Sequence, residues 1–359
     1  MDLVSDLIKL FRRNLQTYTI ILALLFIWIF FAFLTDGAYL SAQNFSNLFR
    51  QMTVTAFLGV GMVLVIVTGN IDLSVASTLA MCASLLGFLH IQGVNIWVAA
   101  AAALALGVLA GALNGFLVAR VKLPALVVTL GTFAFYRGMA YALLGDQAAR
   151  GYPPEFTFLG QGTVGANRLP ISAVLFIFFA IIFGLVLHKT AFGRYLYTIG
   201  NSEEASRYSG VQVARVKMII FTLSGFMAAL AGIIIAARFG STRPDVANGM
   251  ELAVITATVL GGISIFGGSG TIIGPILALL LIGLMRFGMG LVNVQGQVQS
   301  IAIGLLLIFS ILLPNIARQV SRRGIQLSRN TAVAAVVFIA AAGFFIWFFL
   351  WTRTLILAQ

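Results

Sequence analysis

Long apolar runs separated by short polar stretches dominate this sequence, and they constrain the fold more than any other feature. Most runs contain about 20 residues, which is the length an α-helix needs to cross the hydrocarbon core of a bilayer. Only 9% of the 359 residues are charged, whereas soluble domains carry about 25%. A chain this apolar does not fold as a soluble globule. The sequence predicts an all-α, polytopic membrane protein with about 10–11 transmembrane helices.

The predicted spans follow one another from near the N-terminus to residue 313. In order, they are 18–34, 52–68, 73–91, 94–119, 124–145, 170–188, 218–237, 251–266, 271–292 and 298–313. A further apolar run, 331–351, would be an eleventh span. The basic N-terminus and first run also fit a cleaved signal peptide, but the run's length and its Phe and Trp content favour an uncleaved span. No segment has the composition of a separate soluble domain, so we predict one transmembrane domain over residues 1–359.

The distribution of basic residues predicts the orientation of these spans. The net charge of +12 would suggest a nucleic-acid partner in a soluble protein. However, fourteen of the 22 Lys and Arg residues fall in segments that the predicted spans place on one side. This asymmetry follows the positive-inside rule. We therefore predict a cytoplasmic N-terminus, an inner-membrane location, contact with lipid and no nucleic-acid partner.

The sequence offers little support for an enzyme. It contains no phosphate-binding loop of the form G-x-x-x-x-G-K-[S/T]. The glycines of 268–274 have the wrong spacing for a dinucleotide-binding motif and follow a helical run, so a tight turn between packed helices is the better interpretation. Cys82 is the single cysteine, and His90 and His188 flank different spans, so no metal cluster is predicted. We predict a transport subunit with no cofactor of its own.

A polar, helix-breaking stretch separates the second and third spans. Its residues 69–77 include Asp72 and Ser74, whose side-chain oxygens are suited to capping the helix that follows. An acidic residue near membrane depth is costly and is often functional. Two interpretations remain open: a helix cap, or a broken helix that lines a translocation pathway.

The longest predicted inside segment, 189–217, contains a short helix. Ser202 followed by Glu203 and Glu204 is typical of a capped helix start, and Gly210 would end the helix. Between two spans, such an element would bury nothing in its own protein. It would lie on the lipid surface or dock into a groove of a partner.

Three blocks of this sequence resemble the monosaccharide-type ABC importer permeases, a family that includes ribose, xylose, galactose, rhamnose and autoinducer-2 systems. The first is Ile-Asp-Leu-Ser-Val at 71–75. The second joins Thr-Ala-Phe-Gly-Arg at 190–194 to Glu-Glu-Ala at 203–205 and Ser-Gly-Val at 209–211. The third runs from Val-Leu-Gly-Gly at 259–262 through 266–270 to Gly274. The blocks keep their order and spacing, and the similarity extends over about residues 20–315, with a permease core at about 18–313.

The resemblance implies an ABC importer permease fold and a set of partners. Two permeases, as copies or paralogues, would form the membrane core, with a cytoplasmic ATPase below and an extracytoplasmic sugar-binding protein above. ATP and Mg would be bound by the ATPase. The 189–217 segment would then be the coupling segment seated on the ATPase, through Glu203, Glu204, Ala205, Ser209, Gly210 and Val211. Candidate pathway residues are Asn70, Asp72, Ser74, Ser77, Asn114, Thr129, Phe133 and Tyr136. Candidate docking residues for the binding protein are Arg50, Arg150, Arg168, Arg238 and Arg243.

The resemblance leaves the substrate open. Residues 35–41 are similar to xylose permeases, whereas residues 241–251 are closer to rhamnose and autoinducer-2 members. We expect import of a monosaccharide, with a pentose such as xylose or ribose as the first choice. The alternatives are rhamnose or an autoinducer-2-type, sugar-like solute, or a stand-alone secondary transporter. The 331–351 run departs from the family, most of whose members have ten spans.

Overall fold

The computed structural model describes residues 15–165 and 169–305, with side chains from residue 20. Its helices are α1 (Leu15–Leu34), α2 (Ala42–Val67), α3 (Val75–Ile91), α4 (Ile96–Ala119), α5 (Ala125–Leu144), α6 (Pro154–Gln161), α7 (Ile171–Lys189), α8 (Ala191–Asn201), α9 (Glu203–Tyr208), α10 (Val213–Phe239), α11 (Met250–Leu260) and α12 (Ile273–Leu291). A further helix, α13, occupies 296–305 and reaches the end of the described residues. Four two-residue strands are β1 (Ala149–Arg150), β2 (Thr163–Val164), β3 (Leu169–Pro170) and β4 (Ser241–Thr242).

Helix α2 is the centre of the bundle. Its second half, from Val54 to Val67, is almost completely buried, and the helix packs against α7, α10, α11 and α12. The largest apolar cluster of the described residues surrounds it and includes side chains of α3, α7 and α10. A helix that is apolar on all sides is expected to be enclosed by other helices.

Helices α4 and α10 pack closely because small residues face each other. A Cβ at Gly111 would overlap the carbonyl oxygen of Phe221, and one at Gly225 would overlap the carbonyl oxygen of Gly107. The Ala- and Gly-rich composition of the predicted fourth span is typical of such contacts in membranes, and the structure confirms the close approach.

The chain forms two opposite faces at the ends of these helices. The α9 face carries α8, α9 and the first turn of α10. The α6 face carries α6 and the short strands, where β1 pairs with β4 and β2 with β3, both antiparallel. On the α6 face, the hydroxyl of Tyr152 donates a 2.8 Å hydrogen bond to Thr242 and closes the β1–β4 corner over α3.

Three predicted boundaries were wrong. Helix α2 starts ten residues earlier than predicted, because Ser41 caps it by accepting from the Asn44 N–H (3.2 Å). Helix α10 starts at Val213 instead of 218, so the helix includes Lys217. Helix α11 ends at Leu260 instead of 266, because Gly261 and Gly262 turn the chain away.

The described residues support the polytopic prediction. Six of their helices are long and apolar enough to cross a membrane: α2, α4, α5, α7, α10 and α12. Two further apolar helices, α3 with 17 residues and α11 with 11, are shorter. With 11 residues, α11 extends about 16 Å, roughly half of the hydrocarbon core. The tenth predicted span begins within α13 and leaves the described residues, and the 331–351 run lies wholly outside them.

Candidate translocation and coupling sites

The polar break between α2 and α3 is a buried hydrogen-bond network around Asp72. Its Oδ1 accepts from the backbone N–H of Ser74 (3.0 Å) and from the Ser74 hydroxyl (2.6 Å). Its Oδ2 accepts from the hydroxyl of Ser224 on α10 (2.9 Å). Asp72 is only 2% exposed. A buried carboxylate is tolerated when hydrogen bonds replace its hydration, and here both oxygens have partners.

The network extends from this break to α4 and α5. Asn114 on α4 donates from its side-chain amide to the Ser74 hydroxyl (2.8 Å). The Tyr136 hydroxyl on α5 donates to the Ala110 carbonyl (2.9 Å) and lies 3.4 Å from the Asn114 Oδ1. Ser77, one turn into α3, donates to the Ser74 carbonyl (2.8 Å). Four helices therefore meet at one chain of polar groups.

The cap interpretation of this break is only partly correct. Ser74 occupies the N-cap position of α3, but its side chain makes no cap hydrogen bond. The Ser74 hydroxyl binds Asp72 and Asn114 instead. Asp72 accepts one backbone N–H at the helix start and uses its other oxygen to reach α10. Its role in the fold is therefore wider than a local cap.

The remaining predicted pathway residues lie at the edges of the network. Thr129 is buried, and its hydroxyl lies 3.2 Å from the Ile71 carbonyl and 2.9 Å from the Ala125 carbonyl. Asn70 is half-buried, and its side-chain amide donates to the Thr68 hydroxyl (2.9 Å). Phe133 is half-buried, and no hydrogen bond or ring contact joins it to these groups within the described residues.

The short helix predicted after Ser202 is present as α9. The Ser202 hydroxyl accepts from the Ala205 N–H (3.2 Å), and Gly210 takes a φ of +83° after the helix end. The sequence predicted that this helix would make no contacts within its own protein, and this was wrong for its charged first turn. Glu203 binds Lys217 of α10 (2.5 Å) and Arg207 of its own helix (3.0 Å), whereas Glu204 is exposed.

Helix α8 ties this segment to two breaks in the membrane helices. A Cβ at Gly200 would overlap the carbonyl oxygen of Val67, the last residue of α2, and the N–H of Gly268, between α11 and α12. The Gly268 N–H donates to the Val67 carbonyl (2.9 Å). The Tyr197 hydroxyl donates to the Gly270 carbonyl (2.8 Å), and burial raises its pKa. Gly268 and Gly270 have φ values of +75° and +128°. Residues 268–272 form an irregular connection between α11 and α12, and 273–274 already belong to α12, so the tight turn predicted at 268–274 is only partly correct.

A cavity of about 680 Å³ lies on the α9 face, between the Asp72 break and the coupling segment. Asn70 forms part of its wall, beside the end of α4 and the start of α10. Its charged lining is mainly basic: Arg120, Lys122, Glu203, Arg207, Arg215 and Lys217. The polar break and the coupling segment thus border the same space.

The arginines proposed for docking lie mainly at the α6 face. Arg150 and Arg243 are exposed, and Arg243 pairs with Asp245 (3.1 Å). Arg50 donates to the Gln161 carbonyl (2.5 Å). Arg238 is half-buried, with its guanidinium 5.0 Å from the ring centre of Phe239. Arg168 lies outside the described residues.

Sequence reasoning missed the partners that connect these sites. On α10, Ser224 donates to Asp72 and Lys217 donates to Glu203. Their contacts are long-range, so no local pattern predicts them. Arg137 was visible as a cation inside an apolar run, and this was a signal that it needs buried partners.

Comparison with known proteins identifies the family. Residues 44–311 match the family described as "Branched-chain amino acid transport system / permease component", and the chain belongs to it. It is 40% identical to the autoinducer 2 import system permease protein LsrC of Salmonella typhi over 273 residues, which cover 74% of this chain and 76% of the relative. It is also 40% identical to LsrC of Escherichia coli O157:H7 over 269 residues, which cover 74% and 77%. No solved structure matches.

These relatives confirm the resemblance to monosaccharide-type ABC importer permeases. The chain is a multi-pass permease of an ABC importer for a sugar-like solute. The relatives are transport subunits, which agrees with the expectation that this chain is not an enzyme.

Proposed function

We propose that this permease imports an autoinducer-2-type, sugar-like solute. The observation that carries the proposal is the 40% identity to autoinducer 2 import permeases over three quarters of both chains. The relatives favour the alternative substrate over the pentose that was the first choice from the sequence. The likeness of residues 241–251 to autoinducer-2 members points in the same direction.

The proposed assembly is the one expected of an ABC importer. Two permeases form the membrane core in the bacterial inner membrane, with the α9 face in the cytoplasm. An ATPase that binds ATP and Mg docks on that face, and a binding protein that selects the solute docks on the α6 face. Exposed Glu204 and the strongly exposed Tyr208 ring, at 85%, are available on α9 for contact with the ATPase.

Two chains of contacts connect the coupling segment to the membrane helices. The first runs from Glu203 through Lys217 to α10 and on to the Ser224–Asp72 bond. The second runs from Gly200 of α8 to the end of α2 and the turn before α12. Packed elements transmit displacements when they have two discrete arrangements. ATP-driven movement of α9 would therefore act on both helix breaks.

Reconstitution tests this function directly. The permease complex is purified from its native membranes with its ATPase and placed in vesicles containing ATP, with the binding protein outside. We expect uptake of autoinducer-2 that exceeds uptake of ribose or xylose. Uptake of a pentose with no uptake of autoinducer-2 would refute the proposed substrate.

The same vesicles distinguish an ATP-driven importer from a stand-alone secondary transporter. A coupled importer needs the ATPase and ATP, whereas a proton-coupled carrier works with the chain alone and uses several buried carboxylates. Among the described spans and their breaks, Asp72 and Glu251 are the carboxylates near membrane depth. This low number supports the ATP-driven importer.

A further inference from the structure

The cavity on the α9 face collects basic side chains from three parts of the chain. They come from the α4–α5 connection, from α9 and from the start of α10: Arg120, Lys122, Arg207, Arg215 and Lys217. Among the described residues that line the cavity, Glu203 is the only acidic one. The positive-inside rule accounts for an excess of cations on this side of the membrane. It does not account for their convergence on one concave space.

Three of these cations have no counter-charge. Glu203 already binds Lys217 and Arg207. Arg120, Lys122 and Arg215 are exposed, and the described part of the chain offers none of them an ion pair. A cleft lined by one sign of charge concentrates the electric field and attracts ligands of the opposite sign. The lining of this cavity therefore favours an anion.

Hydrogen bonds to the end of α4 fix the loop that carries two of these cations. The N–H groups of Val121 and Leu123 donate to the carbonyls of Phe116 and Leu117 (3.2 Å each). The Arg120 N–H also donates to the Phe116 carbonyl (2.8 Å). The backbone of the loop is thus already in position, and this lowers the cost of ordering it around a ligand.

The first turns of two long helices also border the cavity. Ala125 begins α5, which has 20 residues, and Ala214 lies in the first turn of α10, which has 27. Gln212, the N-cap of α10, makes no side-chain cap hydrogen bond. The N–H groups of Ala214 and Arg215 have no acceptor among the described residues. Free N–H groups at a helix start add to the attraction that the basic side chains exert on an anion.

We propose that this cavity binds a phosphate-bearing ligand. Arginine donates paired hydrogen bonds to phosphate oxygens, and a phosphate monoester carries about two negative charges, more than a single carboxylate. A volume of about 680 Å³ lies in the range of small-molecule sites. The phosphate belongs to a phosphorylated small molecule or to the headgroup of an anionic lipid, and basic pockets beside membrane helices bind such headgroups. The two sources share one chemistry, which the experiment below separates.

The ligand would compete with Glu203 for its partners. The Lys217 side chain is 11% exposed and contacts Glu203 from the wall of the cavity. A phosphate that reaches Lys217 or Arg207 would weaken their bonds to Glu203, and with them the contact between α9 and α10. The site therefore goes beyond the proposed function, because its ligand is distinct from the transported solute and acts on the coupling segment.

Binding to the full-length permease in dodecyl maltoside, a detergent without phosphate, tests the site. The ATPase is left out because it binds phosphate compounds itself. Ribose 5-phosphate is the free probe, and ribose is its uncharged counterpart. Titration calorimetry at constant ionic strength should show that the phosphate form binds about tenfold more tightly or better. Phosphatidylglycerol is the lipid probe, and native mass spectrometry counts the molecules that the permease retains.

Charge variants locate the binding. Arg120→Gln and Arg215→Gln should each weaken it about tenfold, because each removes a charge-assisted hydrogen bond. Glu203→Gln should strengthen it about tenfold, since the variant releases Lys217 and removes the opposing charge. Arg194→Gln is the matched control: Arg194 is an exposed cation of α8 that does not line the cavity. Its loss should change the affinity less than about twofold at physiological salt.

The outcomes identify the source of the phosphate or overturn the site. If the two cavity variants weaken binding of ribose 5-phosphate and Arg194→Gln does not, the ligand is a free phosphate compound. If they reduce only the retention of phosphatidylglycerol, the ligand is a lipid headgroup. The site is refuted if neither probe binds, or if Arg194→Gln weakens binding as much as Arg120→Gln, because binding would then follow net charge alone. An unchanged affinity in Glu203→Gln would refute the competition with Glu203.

Discussion

The carboxylate of Asp72 accepts a 2.9 Å hydrogen bond from the hydroxyl of Ser224, 152 residues further along the chain. This bond joins the break between α2 and α3 to the middle of α10. The same helix carries Lys217 near its start, and Lys217 binds Glu203 of the coupling segment. The Ser224–Asp72 bond is thus the last step of a chain of contacts that begins at Glu203. Helix α10 therefore contacts both the polar break and the coupling segment.

Removing the Ser224 hydroxyl should destabilise the protein measurably. Ser224→Ala deletes one hydrogen bond to a buried carboxylate, at an expected cost of about 1.5–3 kcal/mol in the free energy of unfolding. Asp72→Ala should cost more, since it leaves the hydroxyls of Ser74 and Ser224 without their acceptor. Unfolding of the detergent-solubilised complex measures both. In a double-mutant cycle, strictly additive effects of Ser224→Ala and Asp72→Asn would show that the two residues do not interact.

The two acidic residues of α9 should have different roles. Glu203→Lys places a like charge beside Lys217 and should lower the coupling of ATP hydrolysis to transport about tenfold. Its effect on unfolding should be about 1–3 kcal/mol, because the Lys217 side chain, only 11% exposed, loses its partner. The double reversal Glu203→Lys with Lys217→Glu should restore much of the coupling.

Glu204→Lys is the matched comparison for the charge reversal at Glu203. Glu204 is exposed, so its reversal should weaken binding of the ATPase without changing the α9–α10 contact. Co-purification measures ATPase binding, and the ratio of transport to hydrolysis measures coupling. If Glu204→Lys binds ATPase normally, the proposed docking role of this residue fails.

Gly200→Ala should disrupt the contact of α8 with the helix breaks. The added Cβ would meet backbone atoms of Val67 and Gly268, which cannot move independently of their helices. Overpacking of this kind typically costs about 1–3 kcal/mol. The rate of transport should fall together with the stability.

Gly138→Ala is the control. Gly138 lies inside α5 with nothing within 4 Å of the new Cβ, so the change should be neutral or should stabilise the protein by about 0.5–1 kcal/mol. Equal effects of the two changes would contradict the proposed contact.

Alkaline pH should loosen the α6 face. Burial raises the pKa of Tyr152 from 10.0 to about 12. A raised pKa means that the folded state favours the neutral phenol, so its stabilising effect is complete below pH 10 and is lost as pH rises from 10 to 12. Tyr152→Phe should remove this part of the pH dependence and cost about 0.5–1.5 kcal/mol through the lost bond to Thr242. Unfolding temperature against pH measures both. An unchanged alkaline profile in Tyr152→Phe would contradict the assignment.

The sequence predicted those features that local physics determines. Hydropathy located most of the membrane helices, and Ser202 and Gly210 marked the ends of α9. The boundary errors arose where a polar segment continues a helix, as at 42–51, or where glycines stop an apolar one, as after Leu260. Hydropathy alone does not distinguish an apolar helix from an apolar turn.

The connections between the predicted sites could not be read from the sequence. Asp72 and Ser74 were identified as a polar break, but their bonds to Ser224 and Asn114 depend on how distant helices pack.

Uptake of autoinducer-2 into vesicles tests the central claim most directly. The complex of this permease with its ATPase is reconstituted with binding protein outside, and uptake is measured with and without ATP in the lumen. We predict uptake that depends on both ATP and the ATPase and that falls about tenfold in Glu203→Lys. Uptake by the chain alone, with no ATPase or ATP present, would contradict an ATP-driven importer.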